Sequence, residues 1–185
     1  MHTALLRELP ERAKRELFKV ERWCTPDEGL VLYALIQAHE IRSYLECGTA
    51  NGYSALWAAA ALEGVERSYL HTWDVHDRPK IWDQEAELGD LSARIRCHQG
   101  PFADGVGNVY APGPRLYFID GEHNHTATRA DWRAARLLIQ KGDVIVFHDV
   151  IDYENLMELC NNLRTIHGYR GGVVRTQRGM GVYFA

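Results

Sequence analysis

The sequence predicts an α/β fold, an open and mainly parallel sheet with helices on both faces. Two observations carry this. Short, mostly apolar runs with strand character alternate with longer stretches of helical spacing along the 185 residues, and such alternation implies right-handed crossovers between parallel strands. The first run, Tyr44-Leu45-Glu46-Cys47, passes directly into a glycine-framed turn and an alanine-rich helix. That strand–loop–helix entry is where open sheets receive nucleotide-type ligands, at the carboxyl ends of their strands.

The length fits one domain over residues 1–185, and 46% apolar with 25% charged residues is ordinary for a globular protein. A net charge of -4 argues against a nucleic-acid or anionic-membrane partner, which calls for a basic face. No apolar run approaches the roughly 18 residues of a membrane span, and the first residues lack the apolar centre of a signal peptide. A cytoplasmic location is the expectation. The four cysteines (Cys24, Cys47, Cys97, Cys160) form no Cys-x-x-Cys pair; Cys47 and Cys97 fall on strands expected to be buried, and reduced, buried thiols are expected.

In chain order, residues 3–22 have helical spacing interrupted at Pro10. This leading segment, residues 1–24, is read as a helical cover for a pocket mouth, a surface for a homodimer, or simple packing against the sheet. Thr25-Pro26-Asp27-Glu28 opens the next helix with a hydroxyl cap, a proline at the first position and an acid three residues after the cap. That helix runs to about His39, with Leu30, Ala34, Leu35 and Ala38 inward. Strands are predicted at Ser43–Cys47, Tyr69–Trp73, Ile95–Gln99, Leu116–Ile119 and Val144–Phe147. Helices are predicted at Ser54–Leu62, about Trp82–Leu91, Thr126–Gln140 and about Tyr153–Ile166. In the third of these, Arg129, Arg133 and Arg136 form a solvated face opposite Ala130, Ala134, Leu137 and Leu138. Gly171–Thr176 and Gly181–Phe184 close the chain as a hairpin, adding an antiparallel strand.

The loop after the first strand selects among nucleotides. A dinucleotide fingerprint needs Gly-x-Gly-x-x-Gly, but its second and third glycine positions are Ala50 and Tyr53 here. Glu46 would also repel a diphosphate, and no Gly-Lys-Ser/Thr P-loop is present. What remains, Glu46-x-Gly48-x-x-x-Gly52, suits S-adenosylmethionine (SAM). A carboxylate at the strand tip meets an ammonium group, Gly48 and Gly52 admit close backbone approach, and the helix start at Ser54 can receive a carboxylate. Asp74, ending the second strand, lies about where an acid binds ribose hydroxyls.

Glu46-Cys47-Gly48-Thr49-Ala50-Asn51-Gly52-Tyr53-Ser54 resembles the first motif of class I SAM-dependent methyltransferases. The likeness is closest to small-molecule O-methyltransferases and the related cephalosporin-hydroxylase-like and macrolide-sugar enzymes. Ile119-Asp120-Gly121-Glu122-His123 and Gly142-Asp143-Val144-Ile145-Val146-Phe147-His148-Asp149 resemble the second motif, and Gly179-Met180-Gly181-Val182-Tyr183-Phe184 the last strand. The resemblance implies a Rossmann-like three-layer sandwich with a seven-stranded sheet of order 3-2-1-4-5-7-6. It places the cofactor on Glu46, Gly48, Thr49, Ala50, Gly52, Tyr53, Ser54, Asp74 and Asp120, with Gly100, Pro101 and Phe102 flanking the adenine.

Asp120 and the pair His148-Asp149 each end a predicted buried strand, at tips that adjoin the Glu46 tip. Polar groups there can cap loops. They can also form a divalent metal site, with Asp120 and Asp149 suited to Mg²⁺ and with Mn²⁺, Fe²⁺ or Zn²⁺ favoured if His148 is a third ligand. Metal-dependent relatives carry an acid where His148 stands. His123 occupies the place of a base histidine in some macrolide-sugar methyltransferases, and its near-neutral pKa suits proton transfer; His125 is a bystander. The expected function is O-methylation of a hydroxyl on a small metabolite or sugar, with Asp120 and His123 catalytic. Competing readings are a non-catalytic SAM- or nucleoside-binding module and a non-haem iron oxygenase built on the same fold. Trp82, Tyr110 and Tyr153 are candidate pocket aromatics.

Overall fold

The computed structural model describes residues 24–84 and 88–185. The expected helix over 3–22, and with it the cover or dimer role, lies outside the described residues. Thr25 opens α1 (Pro26–Ala38) with a complete capping box: Thr25 Oγ1 accepts the Glu28 amide at 3.4 Å, and Glu28 Oε2 accepts the Thr25 amide at 2.8 Å. The inward face of α1 differs from the expected one. Glu28, Gly29, Leu30, Leu32, Tyr33 and Ile36 are buried, while Ala38 is exposed. The cause is Gly29, where a Cβ would lie 2.2 Å from the Trp57 ring; the helix turns its glycine face onto the next one.

The chain continues through β1 (Ser43–Cys47), α2 (Tyr53–Ala61), β2 (Tyr69–Asp74), α3 (Ile81–Gln84), α4 (Gly89–Ser92), β3 (Ile95–Gln99) and α5 (Phe102–Gly105). A 3₁₀ turn at Val106–Asn108 then leads to β4 (Arg115–Ile119), α6 (His125–Arg136), β5 (Val144–Phe147), α7 (Glu154–Thr165), β6 (Arg170–Val174) and β7 (Met180–Phe184). The expected helix over 82–91 is represented by α3 and α4, with residues 85–87 outside the described residues. The strands form one seven-stranded sheet in the order β3-β2-β1-β4-β5-β7-β6. Only β7 runs against the rest, pairing antiparallel with both β5 and β6.

Alternate residues of the strands feed two cores, one on each face. Tyr44, Leu70, Leu116, Phe118, Val144 and Val146 pack with α1 and α2. Leu45, Trp73, Tyr117, Ile119, Ile145 and Phe147 pack with α5, α6 and α7. All nine residues of α2 are buried, which explains its alanine-rich composition. Helix α6 keeps its arginines outward, but its inward face is Thr128, Asp131, Trp132 and Ala135, while Ala130 is exposed and Leu137 is 87% exposed. Trp132 sets this rotation by packing edge-on against Phe147 and Tyr169. Cys97 is exposed, against expectation, because β3 is the sheet edge; Cys24, Cys47 and Cys160 are buried. No helix among the described residues is long and apolar enough to cross a membrane.

Candidate active site

Register alone assembles the site. Cys47 pairs with Ile119 and Trp73, and Ile119 pairs with Phe147. The next residues along, Gly48, Asp120, His148 and Asp74, therefore emerge side by side at the carboxyl ends of β1, β4, β5 and β2. Gly48 has φ +94°, and a Cβ there would lie 2.0 Å from the Asp120 carbonyl oxygen. Its glycine is demanded by the neighbouring strand tip as well as by any ligand.

On the β1 side, Glu46 is fully buried. Its Oε1 accepts from the Tyr44 hydroxyl at 3.1 Å and from the Ser54 hydroxyl, whereas Oε2 finds no hydrogen-bond partner among the described residues. Burial pushes the carboxyl up to about 7, against the pull of its hydroxyl donors. Thr49 Oγ1 bonds Thr72 Oγ1 at 2.7 Å. Asp74 fastens the loop: one oxygen accepts the Ala50 amide at 2.7 Å and the other the His76 amide at 2.8 Å. Ala50 takes φ +44°, so the small residue at a position often glycine occupies a left-handed conformation. Gly52 caps α2 at φ +85°, and a Cβ there would meet the Trp82 ring at 2.2 Å. Trp82 thus covers the loop, and Tyr53, 2% exposed, faces the core. Gly100 has open space beside it and Pro101 is exposed. Phe102, by contrast, is buried edge-on against Trp73.

Across from this loop lies a run of alternating charges. His148 is fully buried. Its Nδ1 lies 3.1 Å from Asp120 Oδ1 and 3.4 Å from Asp149 Oδ2, and its Nε2 lies 3.0 Å from Glu28 Oε2. The last contact is a close ion pair out of line for a hydrogen bond. Burial favours a neutral ring, but the surrounding carboxylates outweigh it: His148 is pushed up and Glu28 down. Glu28 Oε1 also accepts the Thr176 hydroxyl at 2.8 Å and the Arg178 amide at 3.1 Å. His123 Nε2 reaches Asp149 Oδ2 at 2.8 Å and Asp120 Oδ1 at 3.5 Å. Here too burial lowers the ring's basicity, and the two aspartates overcome it and push it up to about 9. The same contacts hold Asp149 below the usual carboxylate range despite burial. Asn155 of α7 holds the His123 carbonyl at 3.0 Å, and the Tyr153 ring stacks on His123 at 4.5 Å.

Two expectations change. Among the described residues, two sets of donor atoms each converge within 4.8 Å and could hold an ion: Asp120, His123 and Asp149, and, more deeply buried, Cys24, Glu28 and His148. The set expected from sequence, Asp120, His148 and Asp149, is thus divided between the two, with His123 beside the aspartates and His148 Nδ1 still 3.1 Å from Asp120 Oδ1. His123 in turn has its protonated form favoured by the two aspartates, a bias that its expected role as a base has to overcome. Tyr110 is 70% exposed and contacts Tyr69 at the start of β2, the opposite end of the sheet. Sequence reasoning saw Glu28 only as a cap and gave Cys24, Thr176 and Arg178 no role. Contacts spanning 148 and 150 residues leave no local pattern by which to find them.

The sheet order and the glycine-framed loop place the protein in the Rossmann-like methyltransferase class. The chain belongs to the methyltransferase domain family, whose model matches residues 45–150. Among solved structures it is similar to the O-methyltransferase TomG from Streptomyces achromogenes, involved in tomaymycin synthesis and in complex with SAM (19% identity, 98% of this chain and 89% of that one, TM-score 0.71). It is also similar to the O-methyltransferase from Bacillus cereus in complex with SAH (21%, 99% and 91%, TM-score 0.70) and to cofactor-bound Rv0187 from MTB (21%, 99% and 88%, TM-score 0.70). At these identities the likeness shows the fold. No curated protein matches the chain.

Proposed function

We propose that the protein binds SAM at the β1 loop and transfers its methyl group to a hydroxyl oxygen of a small metabolite or sugar. The observation that carries this reading is Glu46: a fully buried carboxylate with an unpartnered oxygen at the tip of β1 is a socket for a cation, and SAM carries an ammonium group. The similar structures solved with SAM or SAH support the choice. Ser54 holds the other Glu46 oxygen in place. Asp74, already oriented by two amides, keeps lone pairs for ribose hydroxyls. Gly100 and Pro101 border the adenine. When bound, SAM supplies an electrophilic methyl group on a sulfonium.

The chain's own residues then have to position an acceptor hydroxyl and take its proton. His123, held by Asp149 and Asp120, is the base in this reading, and the two carboxylates stabilise its charged form. Its proton must leave before it can act. A second reading is favoured by the convergence of Asp120, His123 and Asp149 within 4.8 Å. These oxygen and nitrogen donors fit a divalent ion, which would polarise the hydroxyl. The readings exclude one another, because His123 Nε2 cannot both ligate an ion and accept a proton.

Calorimetric titration with SAM, with SAH and with NAD tests the cofactor assignment; NAD binding without SAM binding overturns it. His123→Ala is expected to bind SAM like wild type while turnover of a hydroxyl acceptor falls at least about 100-fold. Titration with Mn²⁺ separates the two acceptor-side readings: tight binding that Asp149→Asn abolishes favours the ion, and activity that survives chelation favours the base.

A further inference from the structure

Arg178 lies on the turn between β6 and β7, beyond both motifs from which the site was read. Its main chain is pinned on both sides. The amide donates to Glu28 Oε1 at 3.1 Å, and the carbonyl accepts from the Ile151 amide at 3.1 Å. At the following Gly179, φ is +77° and a Cβ would lie 2.7 Å from an Ile151 methyl group. The turn is thus docked on the segment that follows β5.

The side chain is 39% exposed and reaches Asp149, with Nη1 3.3 Å from Oδ1; Asp152 lies farther off, at 3.9 Å from the same nitrogen. The other oxygen of Asp149 holds His123. One carboxylate therefore separates the guanidinium from the imidazole on the acceptor side. Both of these ion contacts use Nη1. Among the described residues, Nε and Nη2 make no hydrogen bond or ion pair, and together they form the planar fork that matches a carboxylate. A half-exposed pair of this kind contributes little to stability. Ile151, 48% exposed, lies against the same turn, and Tyr153, 40% exposed, stacks on His123 across Asp149 from the guanidinium.

We propose that Arg178 anchors the acceptor by binding a carboxylate that the acceptor carries beside its reacting hydroxyl, so that the substrate class is a ring-bearing hydroxy acid. The assignment rests on the methyltransferase reading above. A carboxylate is favoured over a phosphate monoester because Asp149 and Asp152 already face the guanidinium, and a dianion would meet stronger repulsion than a monoanion. The ring follows from the Tyr153 face, which offers stacking area to a planar skeleton.

The test measures binding to SAH-saturated protein, so that no turnover intervenes. The probes are protocatechuate (a dihydroxybenzoate), its uncharged methyl ester, and hydroxyphenyl phosphate. Wild type is expected to bind the acid about tenfold or more tightly than the ester, as for a hydrogen bond to a charged group, and to bind the phosphate more weakly than the acid. Arg178→Gln is expected to erase the preference for the acid while leaving affinity for the ester and for SAH unchanged. Arg178→Lys, which keeps the charge without the fork, should recover part of it. Equal or absent binding of acid and ester by wild type, a preserved preference in Arg178→Gln, or tighter binding of the phosphate overturns the assignment. Failure of wild type to bind SAH overturns the methyltransferase reading itself, whereas SAH binding without acid preference removes only the role of Arg178.

Discussion

Two residues carry opposite halves of the proposed chemistry, and each is legible only from its surroundings. Glu46 is buried and pushed up to about 7, which favours its neutral form in the free protein. A cation binds its ionised form. The sign follows: SAM affinity is low below pH 7, where the carboxyl is neutral, rises as pH passes through that value, and levels off above it. The slope below the midpoint approaches about tenfold per pH unit. Glu46→Gln should lower SAM affinity roughly 10- to 100-fold, as for loss of a charged hydrogen-bond acceptor, and flatten this pH profile; calorimetry between pH 6 and 8 checks both. A steep profile that survives in Glu46→Gln assigns the titration to another group. His123, by contrast, was visible as a histidine three residues past a strand-tip aspartate, but the bias toward its protonated form follows from the carboxylates of Asp120 and Asp149, the second brought in by a different strand.

At the scale of elements, the informative differences concern which face of a helix is inward. Apolar spacing located α1 and the start of α6 to within a residue, ran α6 four residues too far (to Gln140, where the helix ends at Arg136) and misjudged the rotation of both. In α1 the helix lies against α2 through Gly29, whose missing side chain is filled by Trp57; in α6 the bulk of Trp132 decides. Periodicity weighs every apolar residue alike, whereas packing gives most weight to the largest side chain and the smallest gap. Gly29→Ala is therefore expected to destabilise the protein by about 1–3 kcal/mol through overpacking, even though alanine is the better helix former by about 1 kcal/mol. Urea unfolding measures it, and stabilisation by this substitution would show that Trp57 moves aside freely. A similar close approach fixes Gly48 against the Asp120 carbonyl, so the cofactor loop and the acceptor tip are built as neighbours.

For the whole molecule, the end of the sheet opposite the site is held by Asp143. Its carboxylate takes the Arg115 amide at 2.9 Å, Arg115 Nε at 3.0 Å and the Gln140 amide at 2.9 Å, with Arg115 Nη2 at 2.8 Å. Its carbonyl accepts from the Ala185 amide at 3.0 Å, so β4, the start of β5 and Ala185 meet at one residue. Removing it leaves a largely buried guanidinium unpaired; Asp143→Ala should cost about 3–5 kcal/mol in denaturant unfolding, and a loss below 1 kcal/mol would mean that water replaces the partner.

Taken by itself, the sequence determined the strands to within a residue or two, the capping box at Thr25, the closing hairpin and the SAM-type loop. Each of these is a local signal, written in neighbouring residues: alternation, turn glycines, a hydroxyl before a proline and an acid. The tertiary structure alone decided that His148 is enclosed by Glu28, Asp120 and Asp149, that His123 converges with the two aspartates, and that Arg178 reaches Asp149. Those relations join residues far apart in the chain, through the pairing of β5 with β7 and the contact of α1 with the β6–β7 turn, and a contact that only the folded register creates has no local composition to announce it.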